Sequence, residues 1–95
     1  MTMAVVKLRI GSYPEWKKVF DEVAELRRKH GIRRHWVYRG VEDQGEVIVS
    51  TEWPSLEMAR GFYSDPELRE AMQRGGVVGP PEFVWLGEEM ESTEY

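Results

Sequence analysis

The sequence contains no cysteine and no asparagine, and its side-chain amides are limited to Gln44 and Gln73. Without cysteine the chain has no disulfide, no thiol nucleophile and no zinc–thiolate site. No apolar run approaches the ~20 residues that are needed to span a bilayer. The amino-terminal residues also lack the basic-then-apolar order of a secretory signal. The sequence therefore predicts a cytoplasmic protein that does not associate with a membrane.

Metal and cofactor sites lack their usual sequence patterns. The chain has neither His-x-x-x-His nor Glu-x-x-His spacing, and it has no aspartate-rich loop. His30 and His35 fall on either side of a predicted helix-to-strand break. The glycine-rich stretch 75–79 follows a helix and precedes a strand, whereas phosphate-binding loops run from a strand into a helix. We therefore expect no bound metal and no cofactor.

Charge is unevenly distributed along the 95 residues, which suffice for one domain with one core. Residues 1–40 carry ten Lys/Arg and four Asp/Glu, and residues 41–95 carry three and thirteen. Such asymmetry occurs in nucleic-acid-binding arms, and also in domains whose halves interleave and compensate each other. Because the net charge is −4 and the first strand offers only Lys7 and Arg9 without an aromatic residue, we expect no nucleic-acid partner.

The first half of the chain predicts three strands and one helix. Alternating apolar residues predict strands over Ala4–Ile10 and Glu46–Trp53, and a β-rich composition predicts another over Ile32–Val41. Residues 42–45 are typical of a hairpin turn that ends in glycine. Apolar residues recur at helical spacing from Pro14 to His30: Trp16, Val19, Phe20, Val23 and Leu26.

The second half predicts two short helices and a last strand. Ser55 is suited to cap a helix that runs to Tyr63. Ser64 and Glu67 fit a capping box at the start of the next helix, which Gly75-Gly76 ends. The short aromatic stretch Phe83–Leu86 predicts the fourth strand.

The predicted order is β-α-β-β-α-β, with the second helix broken in two. This is the order of a ferredoxin-like α+β fold, in which helices cover one face of a four-stranded antiparallel sheet. We expect a single domain over residues 1–95, with its core at about 4–88 and an acidic tail at 89–95.

Large side chains are expected on both faces of the sheet, although the helices can cover only one. The second strand carries them on both sides: Ile32, Trp36 and Tyr38 on one, and His35, Val37 and Arg39 on the other. An exposed apolar sheet face usually marks an interface. The sequence therefore predicts a homodimer in which two sheets pack face to face.

The last third of the chain carries a family resemblance. The segment Phe62-Tyr-Ser-Asp-Pro-Glu-Leu-Arg-Glu-Ala-Met72, followed by Gly76-Val-Val-Gly-Pro-Pro81 and a final strand, resembles small stand-alone dimeric α/β-barrel proteins. These belong to the group that includes the antibiotic-biosynthesis-monooxygenase-like domains. The resemblance implies a ferredoxin-like protomer, a dimer, and a pocket between the sheet and the helices of each protomer.

The activities in that group are diverse. They include cofactor-free monooxygenases, haem-degrading enzymes, polyketide cyclases, isomerases and non-catalytic ligand binders. The haem-degrading members use an asparagine, a tryptophan and a histidine, and the quinone-forming monooxygenases commonly use an asparagine. This chain has no asparagine, so neither set of residues is complete here. A shared fold does not by itself assign a function.

Two residues are candidates for acid–base chemistry. His35 is a candidate general base, because a histidine titrates near neutral pH. Alternatively, it is a structural residue of the sheet surface or the dimer interface. Glu52 would be a candidate acid or base if an apolar pocket raised its pKa. Alternatively, it is an exposed residue at the strand end, paired with one of several arginines: Arg34, Arg39 or Arg60.

Aromatic and thioether side chains are the candidates for a ligand pocket, because they form apolar walls for a planar organic molecule. The residues expected to contact such a ligand are Trp53, Tyr63, Met72, Trp85 and Tyr38. Core packing and dimer packing are the alternative roles for them.

The sequence leaves three functions open. The first is a cofactor-free monooxygenase, cyclase or isomerase that acts on an aromatic or polyketide-like molecule. The second is a dimer that binds a small apolar or aromatic metabolite without turnover. The third is a purely structural role that needs only the dimer.

Overall fold

The computed structural model describes residues 1–95, apart from the side chain of Val84. Its elements follow the predicted order, with an additional break in the first helix. They are β1 (Thr2–Arg9), α1 (Tyr13–Glu22), α2 (Ala24–Lys29), β2 (Arg34–Arg39), β3 (Glu46–Trp53), α3 (Leu56–Tyr63), α4 (Pro66–Arg74) and β4 (Glu82–Glu88).

The four strands form one antiparallel sheet in the order β2-β3-β1-β4. This is the ferredoxin-like arrangement, and it confirms the predicted α+β class. Both central strands bury every second residue. In β1 these are Thr2, Ala4, Val6 and Leu8, and in β3 they are Val47, Val49, Thr51 and Trp53. We call the side of the sheet that carries these residues the helix face, and the other side the open face.

The helices and the helix face enclose two apolar clusters. One lies around Trp16 of α1 and the central strands, and the other lies around Trp53, where Leu26, Phe62 and Leu68 meet. Tyr63 and Met72 are partly buried and pack against both clusters. The space between the two clusters is therefore bounded by α1, α3, α4 and the sheet.

The single helix predicted over Pro14–His30 is two helices in the structure. The break lies at Val23, where ψ is 21°, and the Val23 amide still bonds to the carbonyl of Val19. Apolar spacing continues across the break, so the sequence pattern contains no sign of it. A β-branched residue is a comparatively weak helix former, which is consistent with a break at this position.

The start of α4 also differs from the prediction. Asp65, not Ser64, is the N-cap residue, and its carboxylate accepts a hydrogen bond from the Glu67 amide at 2.9 Å. Ser64 instead ends α3, and its hydroxyl donates to the carbonyl of Arg60 at 2.8 Å. The cap at Ser55 is confirmed, because its side chain accepts from the Met58 amide.

Strand β2 is shorter than the predicted Ile32–Val41. Ile32 precedes the strand and packs against the Trp53 cluster, so it does not share the open face with Trp36 and Tyr38. Val41 lies in the loop after β2 and is 96% exposed. The predicted alternation therefore holds only within Arg34–Arg39.

Strand β4 contains a register shift that decides which face its aromatic residues occupy. Phe83 lies opposite Val6, whereas Trp85 lies opposite Val5, with the irregularity between these two β1 residues. Phe83 is consequently on the helix face, where its ring is 5.0 Å from the ring of Tyr63. Trp85 is on the open face. A regular strand would have placed both rings on the same side.

Candidate functional site

A small apolar cavity lies between the helices and the helix face of the sheet. Its volume is about 50 Å³. Its walls are almost entirely apolar, and Trp16 and Phe20 of α1 stand opposite Met72 of α4. Four of the lining residues carry polar side-chain groups, although little polar surface faces the space: Trp16, Arg27, Thr51 and Tyr63. We call this space the inner cavity.

Thr51 and Tyr63 belong to a buried hydrogen-bonded chain. The indole Nε1 of Trp53 donates to Thr51 Oγ1 at 2.8 Å, and the Tyr63 hydroxyl lies 2.8 Å from the same oxygen. Thr51 Oγ1 is also 3.4 Å from the carbonyl oxygen of Ala4. Thr51 has one hydroxyl proton, which can go either to the Ala4 carbonyl or to Tyr63. In the second case the Tyr63 proton is free for a bound molecule, and in the first case Tyr63 donates to Thr51 and can only accept from a bound molecule.

Burial raises the pKa of Tyr63 to about 12. Its hydroxyl is therefore protonated at neutral pH, because the charged phenolate is disfavoured away from water. At that pH Tyr63 serves as a hydrogen-bond donor or acceptor and not as a base.

Arg27 brings a positive charge to the inner cavity. The residue is only 4% exposed, and the centre of its guanidinium lies 3.9 Å from the centroid of the Phe20 ring. Burial lowers its pKa, although arginine stays charged at neutral pH. The cation–π contact with Phe20 offsets part of the cost of burying this charge.

A larger groove opens beside the inner cavity. It lies between α4 and the segment 77–83, and its volume is about 590 Å³. It shares Tyr63, Leu68 and Met72 with the walls of the inner cavity. We call it the outer groove. Side chains of these three residues form the boundary between the two spaces.

The five predicted ligand-contacting residues are divided between the two faces of the sheet. Tyr63 and Met72 line both spaces, and Trp53 lies behind them, bonded to Thr51. Trp85 and Tyr38 lie on the open face, where they are 53% and 58% exposed. Within one protomer these two residues do not line the cavity, because the register shift in β4 and the pleat of β2 turn them away.

His35 lies on the helix face of β2 but outside the walls of the inner cavity. Its ring packs edge-on against Phe20, with the ring centroids 5.1 Å apart. Partial desolvation and the nearby charges of Arg27 and Lys17 lower its pKa, although the residue is exposed at the surface. The lowered pKa favours the neutral imidazole that a general base needs, but Phe20, which is part of the cavity wall, separates His35 from the cavity.

Glu52 lies on the opposite face of the sheet from His35. It is 7% exposed and is held by Arg34, whose Nε is 3.3 Å from Oε1 and whose second nitrogen is 3.4 Å from Oε2. The expected pairing with an arginine is thus present, although Glu52 itself is buried and not exposed. The sheet separates Glu52 from His35 and the inner cavity, so the two carry no joint acid–base role within one protomer.

Arg27 and Thr51 were not among the predicted site residues. Arg27 continues the apolar stripe of the first helix, at i+7 from Phe20 and i+4 from Val23, and this spacing was the available signal. Thr51 is a polar residue at a buried position of the β3 alternation, between Val49 and Trp53. A polar residue at a core position of a pattern needs a partner, and Thr51 has three: Trp53, Tyr63 and the carbonyl of Ala4.

Metal ligation has no support among the described side chains, because no three His, Asp or Glu residues come together. None of the described helices has the length and apolar character needed to cross a membrane. The inner cavity is almost wholly apolar, whereas the outer groove combines apolar walls with the polar side chains of Asp65, Arg69 and Gln73. Together the two spaces suit a small organic molecule.

Comparison with known proteins gave matches only at the level of structure. No protein-family model matches the sequence, and no curated protein matches it significantly. SnoaB, a cofactor-independent oxygenase from Streptomyces nogalater, is 15% identical with a TM-score of 0.74, over 96% of this chain and 94% of its own.

Two further solved structures are similar to this chain over nearly its full length. A monooxygenase from the gene ActVA-Orf6 of Streptomyces coelicolor, in complex with nanaomycin D, is 23% identical with a TM-score of 0.72, over 99% of this chain and 91% of its own. A dimeric ferredoxin-like protein from an uncultured marine organism is 13% identical with a TM-score of 0.65, over the full length of both chains. The chain therefore shares its ferredoxin-like fold with these proteins.

Proposed function

We propose that this protein binds a small, planar aromatic molecule in the outer groove, against Tyr63 and Met72. The observation that carries the proposal is the groove of about 590 Å³, which adjoins an apolar cavity through three shared residues. Clefts of ~300–1,000 Å³ with apolar walls are typical of small-molecule sites. The inner cavity alone is too small for a ring, because even benzene needs a cavity of about 150 Å³.

Native mass spectrometry tests this proposal. The purified protein is measured as isolated and again after incubation with α-naphthol, a neutral two-ring probe. We expect one naphthol per protomer in the wild type. The larger side chain of Met72→Trp fills the boundary between the two spaces and abolishes the adduct. Met90→Trp is the matched control, because Met90 is 92% exposed in the tail and its substitution leaves both spaces unchanged. Equal binding by both variants would place the ligand elsewhere.

The open face supports a second part of the proposal, a homodimer with two sheets packed face to face. Trp36, Tyr38 and Trp85 project from this face, together with partly exposed Ile48 and Val5. A contiguous apolar patch of this kind is unusual on a monomer. One of the structural neighbours is itself described as dimeric. Sedimentation of the wild type as a monomer at micromolar concentration would refute the dimer.

A second candidate function is cofactor-free oxygenation of the bound aromatic. Two structural neighbours are described as an oxygenase and a monooxygenase. For α-naphthol the balanced reaction is naphthol plus O₂ giving naphthoquinone plus water. One oxygen atom enters the ring as a carbonyl, the other leaves as water, and the substrate supplies the electrons. Tyr63 would hold the ring hydroxyl by a hydrogen bond during this step.

Oxygen consumption with α-naphthol separates the oxygenase from the binding protein. If the protein binds α-naphthol but consumes no O₂, it acts on this ligand as a binding protein and not as an oxygenase. If turnover occurs, His35→Ala and Glu52→Gln test the two predicted catalytic residues. Unchanged turnover in both variants would remove them from the reaction and leave Tyr63→Phe as the next variant to measure.

A further inference from the structure

Arg27 is a largely buried residue whose charge has no counter-ion in the protein, although its guanidinium nitrogens keep some access to solvent or to the cavity. It forms no ion pair and no side-chain hydrogen bond with another residue that the structure describes. Asp21 attracts it only from a distance and is itself bound to Lys17 at 2.6 Å. The neighbouring Arg28, by contrast, is exposed and paired with Glu25.

An arrangement of this kind is costly for the fold. A buried ion loses its hydration, and the loss is several kcal/mol unless a counter-charge and hydrogen bonds replace the water. The contact with the Phe20 ring supplies only part of this. An apolar residue at position 27 would continue the stripe of α1 and α2 without the penalty. Packing alone does not require a charge at this position.

We infer that Arg27 anchors the carboxylate of an aromatic acid, so that the ligand of the outer groove reaches the inner cavity with its anionic end. This inference rests on the proposed function. A guanidinium presents two parallel N–H donors, which match the two oxygens of a carboxylate. The apolar surroundings strengthen such a pair, because little water competes for either partner.

The volumes of the two spaces are consistent with a ligand whose anionic group lies in the inner cavity and whose ring lies in the outer groove. The inner cavity of about 50 Å³ exceeds the ~30 Å³ that one water occupies in the liquid, so it has room for a small polar group and not for a ring. The outer groove holds the ring. Met72 stands between the two spaces and has three rotatable bonds, which allow it to adjust to a ligand that passes it.

Calorimetric titration with two matched probes tests the inference. The probes are naphthalene carboxylate and naphthalene carboxamide, which have nearly the same shape and differ in charge. We expect the wild type to prefer the carboxylate by about tenfold to a hundredfold, the range of a charge-assisted hydrogen bond. Arg27→Met removes this preference and leaves carboxamide affinity within about threefold. Arg28→Met, on the exposed face of the same helix, retains the preference.

Stability provides a second readout, because a largely buried charge without a counter-ion costs the fold stability that an apolar side chain would not. Without ligand, Arg27→Met melts at or above the wild-type temperature; a clear loss of stability, including failure to fold, would instead assign Arg27 a structural role and overturn the inference. Arg27→Lys is a second variant, because it keeps the charge but lacks the planar pair of donors. It is expected to lose about tenfold in carboxylate affinity alone.

The outcomes separate this inference from the proposed function. Equal affinity of the wild type for both probes, with Met72→Trp blocking both, would refute the role of Arg27 and retain the groove as a site. Binding of neither probe would refute the groove and the anchor together. A preference for α-naphthol at alkaline pH over the carboxylate would assign Arg27 to an ionised hydroxyl and overturn the carboxylate.

Discussion

Thr51→Val is the substitution that most directly tests the polar chain beside the cavity. The two side chains have nearly the same shape, so the change removes a hydroxyl and leaves little void. Thr51 is 1% exposed, and its oxygen is 2.8 Å both from the indole nitrogen of Trp53 and from the hydroxyl of Tyr63. Valine leaves both of these partners without their contact.

The expected loss follows from the burial of each partner. Trp53 is 0% exposed, so its N–H would remain unsatisfied, at a cost of about 1–3 kcal/mol. Tyr63 lines the cavity and the groove, where water can replace the lost contact, so its share is about 0.5–1.5 kcal/mol. We expect Thr51→Val to lower the free energy of unfolding by about 1.5–4.5 kcal/mol, a large part of a typical ~5–15 kcal/mol.

Urea unfolding followed by tryptophan fluorescence measures this loss. All variants are compared at one protein concentration, since dimerisation would make the midpoint depend on it. Thr51→Ser is the matched control, because it keeps the hydroxyl and loses one methyl group, worth about 1 kcal/mol. If valine were no more destabilising than serine, the hydrogen-bonded chain would have no part in stability. The cost of Tyr63→Phe should also be smaller in the valine background than in the wild type.

Two further predictions concern Asp65 and the open face. The hydrogen bond from His30 lowers the pKa of Asp65, so ionised Asp65 stabilises the fold above its unfolded-state pKa, near 3.8. That contribution is lost as pH falls through the lower folded-state value. Asp65→Asn retains a capping side chain, so its stability should fall less than that of the wild type below about pH 4; parallel pH curves would contradict this role. Trp85→Glu should sediment as a monomer, because it places a charge on the apolar face. Val41→Glu is the control: Val41 is 96% exposed in a loop, so this variant should sediment as the wild type does.

Local sequence patterns were sufficient to predict most of the elements. Strand β3 and helix α3 occupy their predicted residues, because strict alternation and the cap at Ser55 act within a few positions. The topology followed from the order of the elements. The position of Thr51 on the buried side of β3 was also contained in that alternation.

The composition of the candidate site depended on contacts between distant residues. The register shift in β4 placed Phe83 and Trp85 on opposite faces, and it is visible only where β4 pairs with β1. His35 and Glu52 were both predicted as catalytic candidates. His35 of β2 pairs with Thr51 of β3, the neighbour of Glu52, so the side chains of His35 and Glu52 lie on opposite sides of the sheet.

The sequence alone determined the element order, the fold class and the burial pattern of the central strands, because periodicity and caps are properties of neighbouring residues. Only the tertiary structure showed that the break at Val23 is followed by a buried Arg27, and that this charge lies beside an apolar space without an internal counter-charge. Whether a basic residue at a helix end is solvated or enclosed depends on the elements that pack around it. Those elements come from parts of the chain that no local pattern connects.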